Sequence, residues 1–366
     1  MHKKILLATV LYALSTATSS AGEWSYDFFG KVNTLYGYSD YDSSHIKGES
    51  RNHLPSRLST GAMAQYAFND EYQFGLYLDL AYGIDQQLKD YNHGSWGEQI
   101  YGVLDSPYGK LILGQSYNAA YQLSVGAPSI GVLGINQSDI VNFISNPNWQ
   151  RNHKGTAYLT LNSTDINTDG TAPKITYISP EFNNGTMFGL SYVPESYSRD
   201  GLINSKASYK NKSGYIAALS HTADILGFSL SGSLGAAYFA NNDYETSLGL
   251  SAYRKGWTLG GSLRRTWADG KINRPIRKYI ADYDSYRDSW AANAGLSYEF
   301  GPFKTALTYF YSKADGKDYS SKIYQWENSY QYNKYLTFNA AVARGDFKAQ
   351  VDNAGYAYII GAEVKF

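Results

Sequence analysis

The side chains able to do acid–base, nucleophilic or metal chemistry in this chain are few and poorly spaced for it. Of the histidines, His2 lies in an N-terminal leader, while His45, His53, His93 and His153 fall in expected loops or at strand ends. His221 closes a strand beside Ser220 and Asp224. A Ser-His-Asp relay needs its side chains hydrogen-bonded in order, yet consecutive residues of an extended strand point to opposite faces. Cysteine is absent, which excludes disulfide frameworks, thiolate metal sites and thiol nucleophiles. No HExxH, CxxC or phosphate-cradling glycine motif occurs. The reading is no enzyme, no cofactor and no resident metal.

What the residues do specify is alternation. From Glu71 to Leu80 every even position is apolar or aromatic and most odd ones are polar or glycine, the period of a strand with one apolar face and one wet face. The same period runs through Phe228 to Tyr238, Trp290 to Phe300 and Tyr356 to Phe366. The uncharged window Ile225 to Asn242 is the best case for a spanning helix, but its alternating serines would lie all round a helix, whereas a strand gathers them on one side. Sixteen segments follow this rule: 24–38, 54–68, 71–85, 96–105, 109–115, 173–180, 187–194, 213–222, 227–240, 243–254, 257–268, 287–300, 303–314, 319–332, 335–346 and 354–366. Their connections alternate between short turns, such as Asn69-Asp70, Lys255-Gly256 and Gly301-Pro302, and mostly longer loops. That rhythm fits an all-β, 16-stranded antiparallel transmembrane β-barrel with both ends of the chain on one side.

The composition agrees. The chain holds 36 Tyr, 35 Gly and 7 Trp against 9 Pro and 3 Met, and amphipathic rings favour the two membrane–water boundaries. Lys3 and Lys4, the apolar run Ile5 to Leu14 and the small-residue tail Ser19-Ser20-Ala21 form a signal peptide, residues 1–21, with cleavage expected before Gly22. Setting Lys3 and Lys4 aside, 30 of the 32 basic residues face 32 acidic ones, so bulk charge points to no nucleic-acid partner. In hydrocarbon every backbone N–H and C=O needs a partner, and without a spanning helix only closure supplies it. A closed barrel of this size encloses water rather than side chains. The one long interruption, 116–172, mixes glycines with Val125, Ile130, Val132, Leu133, Ile140, Val141 and Phe143, the composition of a packed segment.

Four motifs carry a family resemblance: Phe29-Gly30-Lys31-Val32-Asn33, Ser56-Arg57-Leu58, Tyr108-Gly109-Lys110-Leu111-Ile112-Leu113-Gly114, and Ile175-Thr176-Tyr177-Ile178-Ser179-Pro180-Glu181-Phe182. Over residues 22–366 the chain resembles the Gram-negative general porins. The resemblance implies a homotrimer in the cell outer membrane that passes small hydrophilic solutes. It also implies a third extracellular loop, here 116–172, folded inward to a charged constriction, with Lys31 and Arg57 in a basic cluster on the wall and acidic groups on the loop. The terminal Phe366 would be read by the barrel-assembly machinery. Two departures stand out: Gln115 occupies a position where the family commonly has arginine, and no Asp or Glu occurs between Lys110 and Asp139.

Alternation independently places Lys31 and Arg57 on the wet face, with Asp79 and Arg264, and the loop supplies Asp139; these five are the candidate pore residues. Two other readings stay open. Inward Tyr77 and Tyr253, with loop residues Tyr117, Tyr121, Trp149 and Tyr158, would suit a sugar-specific pore; a plugged structural or adhesive barrel would act through its loops instead. Asp282 to Asp288 reads as surface charge, with a divalent cation or bridging to lipopolysaccharide of the surrounding lipid as the alternative.

Overall fold

The computed structural model describes residues 22–41, 51–84, 99–131, 133–135, 140, 143–152, 155–158, 160–194, 196–197, 210–211, 213–240, 243–268, 288–316, 318–349 and 352–366. Sixteen antiparallel strands form its wall: β1 Trp24–Tyr41, β2 Ser56–Ala67, β3 Gln73–Ile84, β4 Gln99–Ser106, β5 Gly109–Gln115, β6 Pro173–Ile178, β7 Thr186–Val193, β8 Gly214–Ile225, β9 Phe228–Phe239, β10 Asp243–Arg254, β11 Trp257–Ala268, β12 Ser289–Phe300, β13 Phe303–Ala314, β14 Ser320–Gln331, β15 Leu336–Lys348 and β16 Asn353–Lys365. Each pairs with its neighbours in sequence. β1 also pairs with β16, from Lys31 opposite Lys365 to Tyr41 opposite Gly355, and this closes the sheet. The pairing continues one step further, because Gly30 and Phe366 exchange backbone hydrogen bonds of 2.8 and 3.0 Å. No edge remains to be solvated, which is what the hydrocarbon demands.

The turns at the end bearing both termini are tight. Leu226-Gly227 and Lys255-Gly256 join β8 to β9 and β10 to β11 with all four residues at positive φ, the geometry whose twist matches that of paired strands. Long connections lie at the opposite end, so that end is extracellular. The strand expectations hold within a few residues; β1 runs further than expected, to Tyr41, and β8 to Ile225.

Outward positions carry the exposed apolar side chains, among them Leu76, Ile100, Leu113, Leu234, Leu250, Leu263, Leu307 and Ile360. Such a surface would be an aggregation liability in water; against lipid it is the required exterior. Aromatic belts bound it. At the periplasmic end Trp257 stacks on Tyr298 at 4.4 Å and Phe303 meets Tyr330 at 4.7 Å. At the other end Tyr192–Tyr215, Tyr238–Tyr244 and Tyr309–Tyr324 pair across strands at 5.2, 5.1 and 4.9 Å.

Candidate functional site

The interior is occupied by the segment after β5. Its first turn is the short helix α1, Ala119–Gln122, capped by Asn118, whose side-chain oxygen accepts from Tyr121 N at 2.8 Å. From there the loop travels round the inner wall, held chiefly by side-chain amides and hydroxyls. Ala119 N donates to Ser191 Oγ, Val125 N to Ser233 Oγ and Ala127 N to Asn293 Oδ1, at 2.9, 2.9 and 3.1 Å. Gln325 Nε2 donates to Leu133 O, Asn148 Nδ2 to Ser320 O and Asn353 Nδ2 to Ser145 O, at 3.2, 2.9 and 2.6 Å. At the outer end of β1, Ser39 Oγ donates to Phe143 O at 2.7 Å. Wall glycines make the fit close: a Cβ at Gly249 would lie 1.9 Å from Val125 O, and one at Gly37 would lie 2.3 Å from the Phe143 ring. Ile135, Ile140, Phe143, Ile144 and Ile166 are fully enclosed, as the apolar composition of this stretch predicts. The returning part, 160–171, within the Tyr158 to Thr171 stretch that looks like an insertion in the sequence, runs along the wall from Ser321 of β14, which Thr160 meets, past Ser262 and Asn293, which Thr164 meets, to Gly235 of β9, which Ile166 covers.

Two buried ion pairs fasten the returning part. Lys174 Nζ lies 3.2 Å from Asp169 Oδ2 with both side chains wholly enclosed, and it also donates to Gly170 O at 3.0 Å and to Ser116 O. Burial pushes the Asp169 carboxyl up, while the Lys174 ammonium and the Asn118 amide oppose that rise. Arg264, 3% exposed, pairs with Glu245 at 2.7 Å and donates to Asp165 O, Asn167 Oδ1 and Thr168 Oγ1 at 2.6, 2.8 and 2.8 Å. Arg264 therefore faces inward, as alternation requires, but beneath the loop: it seats the loop instead of meeting solute.

Three other candidates come together on the wall. Lys31 stands opposite Ser59, Arg57 opposite Asn33 and Asp79 opposite Gly61, so they occupy three successive inward rows of β1–β3. Lys31 and Arg57 are diagonal cross-strand neighbours, a relation that separates residues by about 7–8 Å. Sequence reasoning missed their partner: Glu363 lies 3.9 Å from Lys31 Nζ and 3.1 Å from Lys365 Nζ. Alternation already puts Glu363 and Lys365 on the inner face; only the closing β1–β16 register shows that they meet Lys31. Asp139 lies outside the described residues, as does most of the acidic stretch that ends at Asp288.

Just below the charged patch is an aromatic cluster. Phe29 lies over Gly61 and 5.7 Å from Tyr77, which stacks on Tyr101 at 4.7 Å; on the loop Tyr117 stacks on Tyr121 at 4.2 Å. Tyr77 and Tyr101 are buried and brace the wall, whereas Tyr117 and Tyr121 are partly exposed. Tyr253 faces inward near the periplasmic mouth; Trp149 and Tyr158 pair in a short hairpin. His221 Nδ1 meets Thr186 Oγ1 at 2.9 Å, while Ser220 points to the opposite face. His53 is buried edge-on against Phe143, with ring centroids 6.0 Å apart.

The loop contacts above fall on β6–β16 and the outer end of β1. The partly exposed charges lie on the remaining arc, β1–β3.

Comparison with known proteins agrees with this geometry. The family model described as Gram-negative porin matches residues 7–350. Among curated proteins none matches. Solved structures share the fold: an anion-selective porin from Comamonas acidovorans (14% identity, TM-score 0.60, 94% of this chain and 100% of that one), OmpF of Salmonella typhi in complex with daunomycin (15%, 0.61, 93% and 97%), and the trimer form of OmpT of Vibrio cholerae (13%, 0.58, 94% and 99%). With its closed 16-stranded barrel, lipid-facing exterior and family match over nearly its whole length, the chain belongs to the Gram-negative porin family, and forms an outer-membrane channel for passive diffusion of small hydrophilic solutes.

Proposed function

We propose that solutes pass between the loop 116–172 and the inner wall of β1–β3, and that Lys31, Arg57 and Lys365 against Asp79 and Glu363 set a mild preference for anions. The observation that carries this reading is the register that gathers these groups on the one arc the described loop contacts leave. In the three inward rows from Phe29 to Asn33 and their β16 partners, three cations stand against two carboxylates, with Asp27 one row nearer the periplasm. A fixed charge in a narrow passage raises the local concentration of its counterion, an effect screened over about 10 Å at 0.1 M salt. The barrel performs no catalysis in this account, and it works as a homotrimer, which the trimer form of the OmpT neighbour supports.

The test is the zero-current potential across a planar bilayer in a salt gradient. Lys31→Ala with Arg57→Ala should move it toward cation preference, and Asp79→Asn should move it the other way. Asp139→Ala should act like Asp79→Asn, by less. A double variant equal to wild type at low salt would remove these residues from the narrow zone. The sugar-specific reading rests on the Tyr117–Tyr121 stack; it predicts transient current block by oligosaccharide that Tyr117→Ala abolishes.

A further inference from the structure

Phe29 is an apolar ring on the wet face of β1. It lies over Gly61 of β2, where a Cβ would come 2.3 Å from the ring, so the pose requires glycine at that position. The ring runs near-parallel to Tyr77, with centroids 5.7 Å and planes 21° apart, and Tyr77 continues the row of rings to Tyr101. Tyr77 and Tyr101 are 5% and 6% exposed, and packing alone accounts for them; Phe29 keeps part of its surface open to the lumen.

Carboxylates flank that ring. Asp79 stands in the same inward row, opposite Gly61, and Asp27 precedes Phe29 by two residues on β1, in the row of Met63 and Tyr77. Two residues along a strand span about 7 Å and two strands across a sheet about 10 Å, so both acids border the space over the ring. Asp27 is exposed and, among the described residues, forms no ion pair; Asp79 is partly exposed. The nearest cation on the strand, Lys31, has Glu363 3.9 Å from its Nζ on the side away from Asp79. On the loop, Tyr117 lies within electrostatic reach of Tyr77, as Asp79 does.

An open aromatic face carries a negative quadrupole that attracts cations within about 6 Å of its centre. A small inorganic cation keeps its water shell and gains little from a ring. An ammonium ion with carbon substituents is weakly hydrated and gains from ring and carboxylate together. We propose that Phe29, Asp79 and Asp27 form a low-affinity site for organic ammonium ions, which retards these solutes on the periplasmic side of the charged arc. The proposal rests on the reading that solutes pass along β1–β3.

The test is block of the salt current through the purified full-length barrel in planar bilayers at low salt, by choline and by its uncharged carbon isostere. Choline should block saturably and the isostere should not. Ring-fluorinated phenylalanine at position 29, which keeps the shape and weakens the quadrupole, should raise the half-blocking choline concentration about two- to fivefold, as should Phe29→Leu. Phe29→Tyr should block like wild type. Asp79→Asn and Asp27→Asn should each raise it by about the same factor, as loss of one exposed charge partner does. Heat-modifiable migration checks that each barrel is folded, and the fluorinated ring, nearly isosteric with the native one, decides the matter if Phe29→Leu does not fold. Equal block by the isostere, block by a neutral oligosaccharide that Phe29→Leu removes, or a half-blocking concentration untouched by fluorination overturns the proposal. The zero-current potential of the Lys31→Ala/Arg57→Ala barrel in the same bilayers separates the two readings: a shift there with no effect of fluorination removes the ammonium site alone, and no shift in either removes the passage along β1–β3 as well.

Discussion

Replacing Arg264 by methionine removes a guanidinium that makes four contacts of 2.6 to 2.8 Å, to Asp165 O, Glu245, Asn167 and Thr168, and strands the Glu245 carboxylate in a buried position. Taking one partner from a buried pair costs about 3–5 kcal/mol. The neighbouring anchors are neutral: Thr164 meets Ser262 at 2.6 Å and accepts from Asn293 Nδ2 at 2.7 Å, and each such bond is worth about 0.5–1.5 kcal/mol net. The loss therefore matches or exceeds what those two bonds hold. Arg264→Met should release 163–168 from the wall, with Asp169 still held by Lys174, while the strand ladders stay intact. In planar bilayers conductance should rise and become noisier, limited proteolysis should cut within 163–168, and heat-modifiable migration should persist. Adding Glu245→Gln should restore much of the wild-type behaviour, because it removes the stranded charge. If Arg264→Met instead shifted the reversal potential with conductance steady and the loop uncut, Arg264 would be a pore-lining charge and the anchoring account would fail.

Two further expectations concern the barrel's seam and the leader read from the sequence. The Phe366 ring fills the space over Gly30, where a Cβ would lie 2.4 Å from it, and its backbone continues the β1–β16 seam; deleting Phe366 should lower the folded yield in cells much more than Phe366→Tyr does, and equal yields on a heat-modifiability gel would refute the role in assembly. N-terminal sequencing of the outer-membrane form should begin at Gly22; recovery of Met1 there would sink the signal-peptide reading.

Much of this molecule is legible in its sequence because a barrel strand repeats with a period of two and buries no ambiguous face. Phe228 to Phe239 reads as a strand because its serines alternate, and the wall positions of Lys31, Arg57, Asp79 and Arg264 follow from parity alone. Parity fixes the face, but it leaves open the strand register and what covers that face. Glu363 is a plain lumen carboxylate in the sequence; it becomes the partner of Lys31 only when the first and last strands close. Arg264 looks like any inward arginine until the loop folds over it. The loop anchors, Ser191, Ser233, Asn293 and Gln325, carry no sequence signal beyond polarity, since each binds a loop backbone atom distant in sequence. The apolar content of 116–172 did announce that the segment packs, and its enclosed isoleucines are where that composition leads.

The central claim is an open aqueous passage between loop and wall, and single-channel recording of the purified wild-type protein tests it most directly. Stepwise conductance that rises in proportion to the bulk conductivity of the salt solution, with a small positive-wall bias toward anions at low salt, is the predicted result. A bilayer that stays sealed after insertion of folded protein, or a conductance that saturates at modest salt, would contradict it.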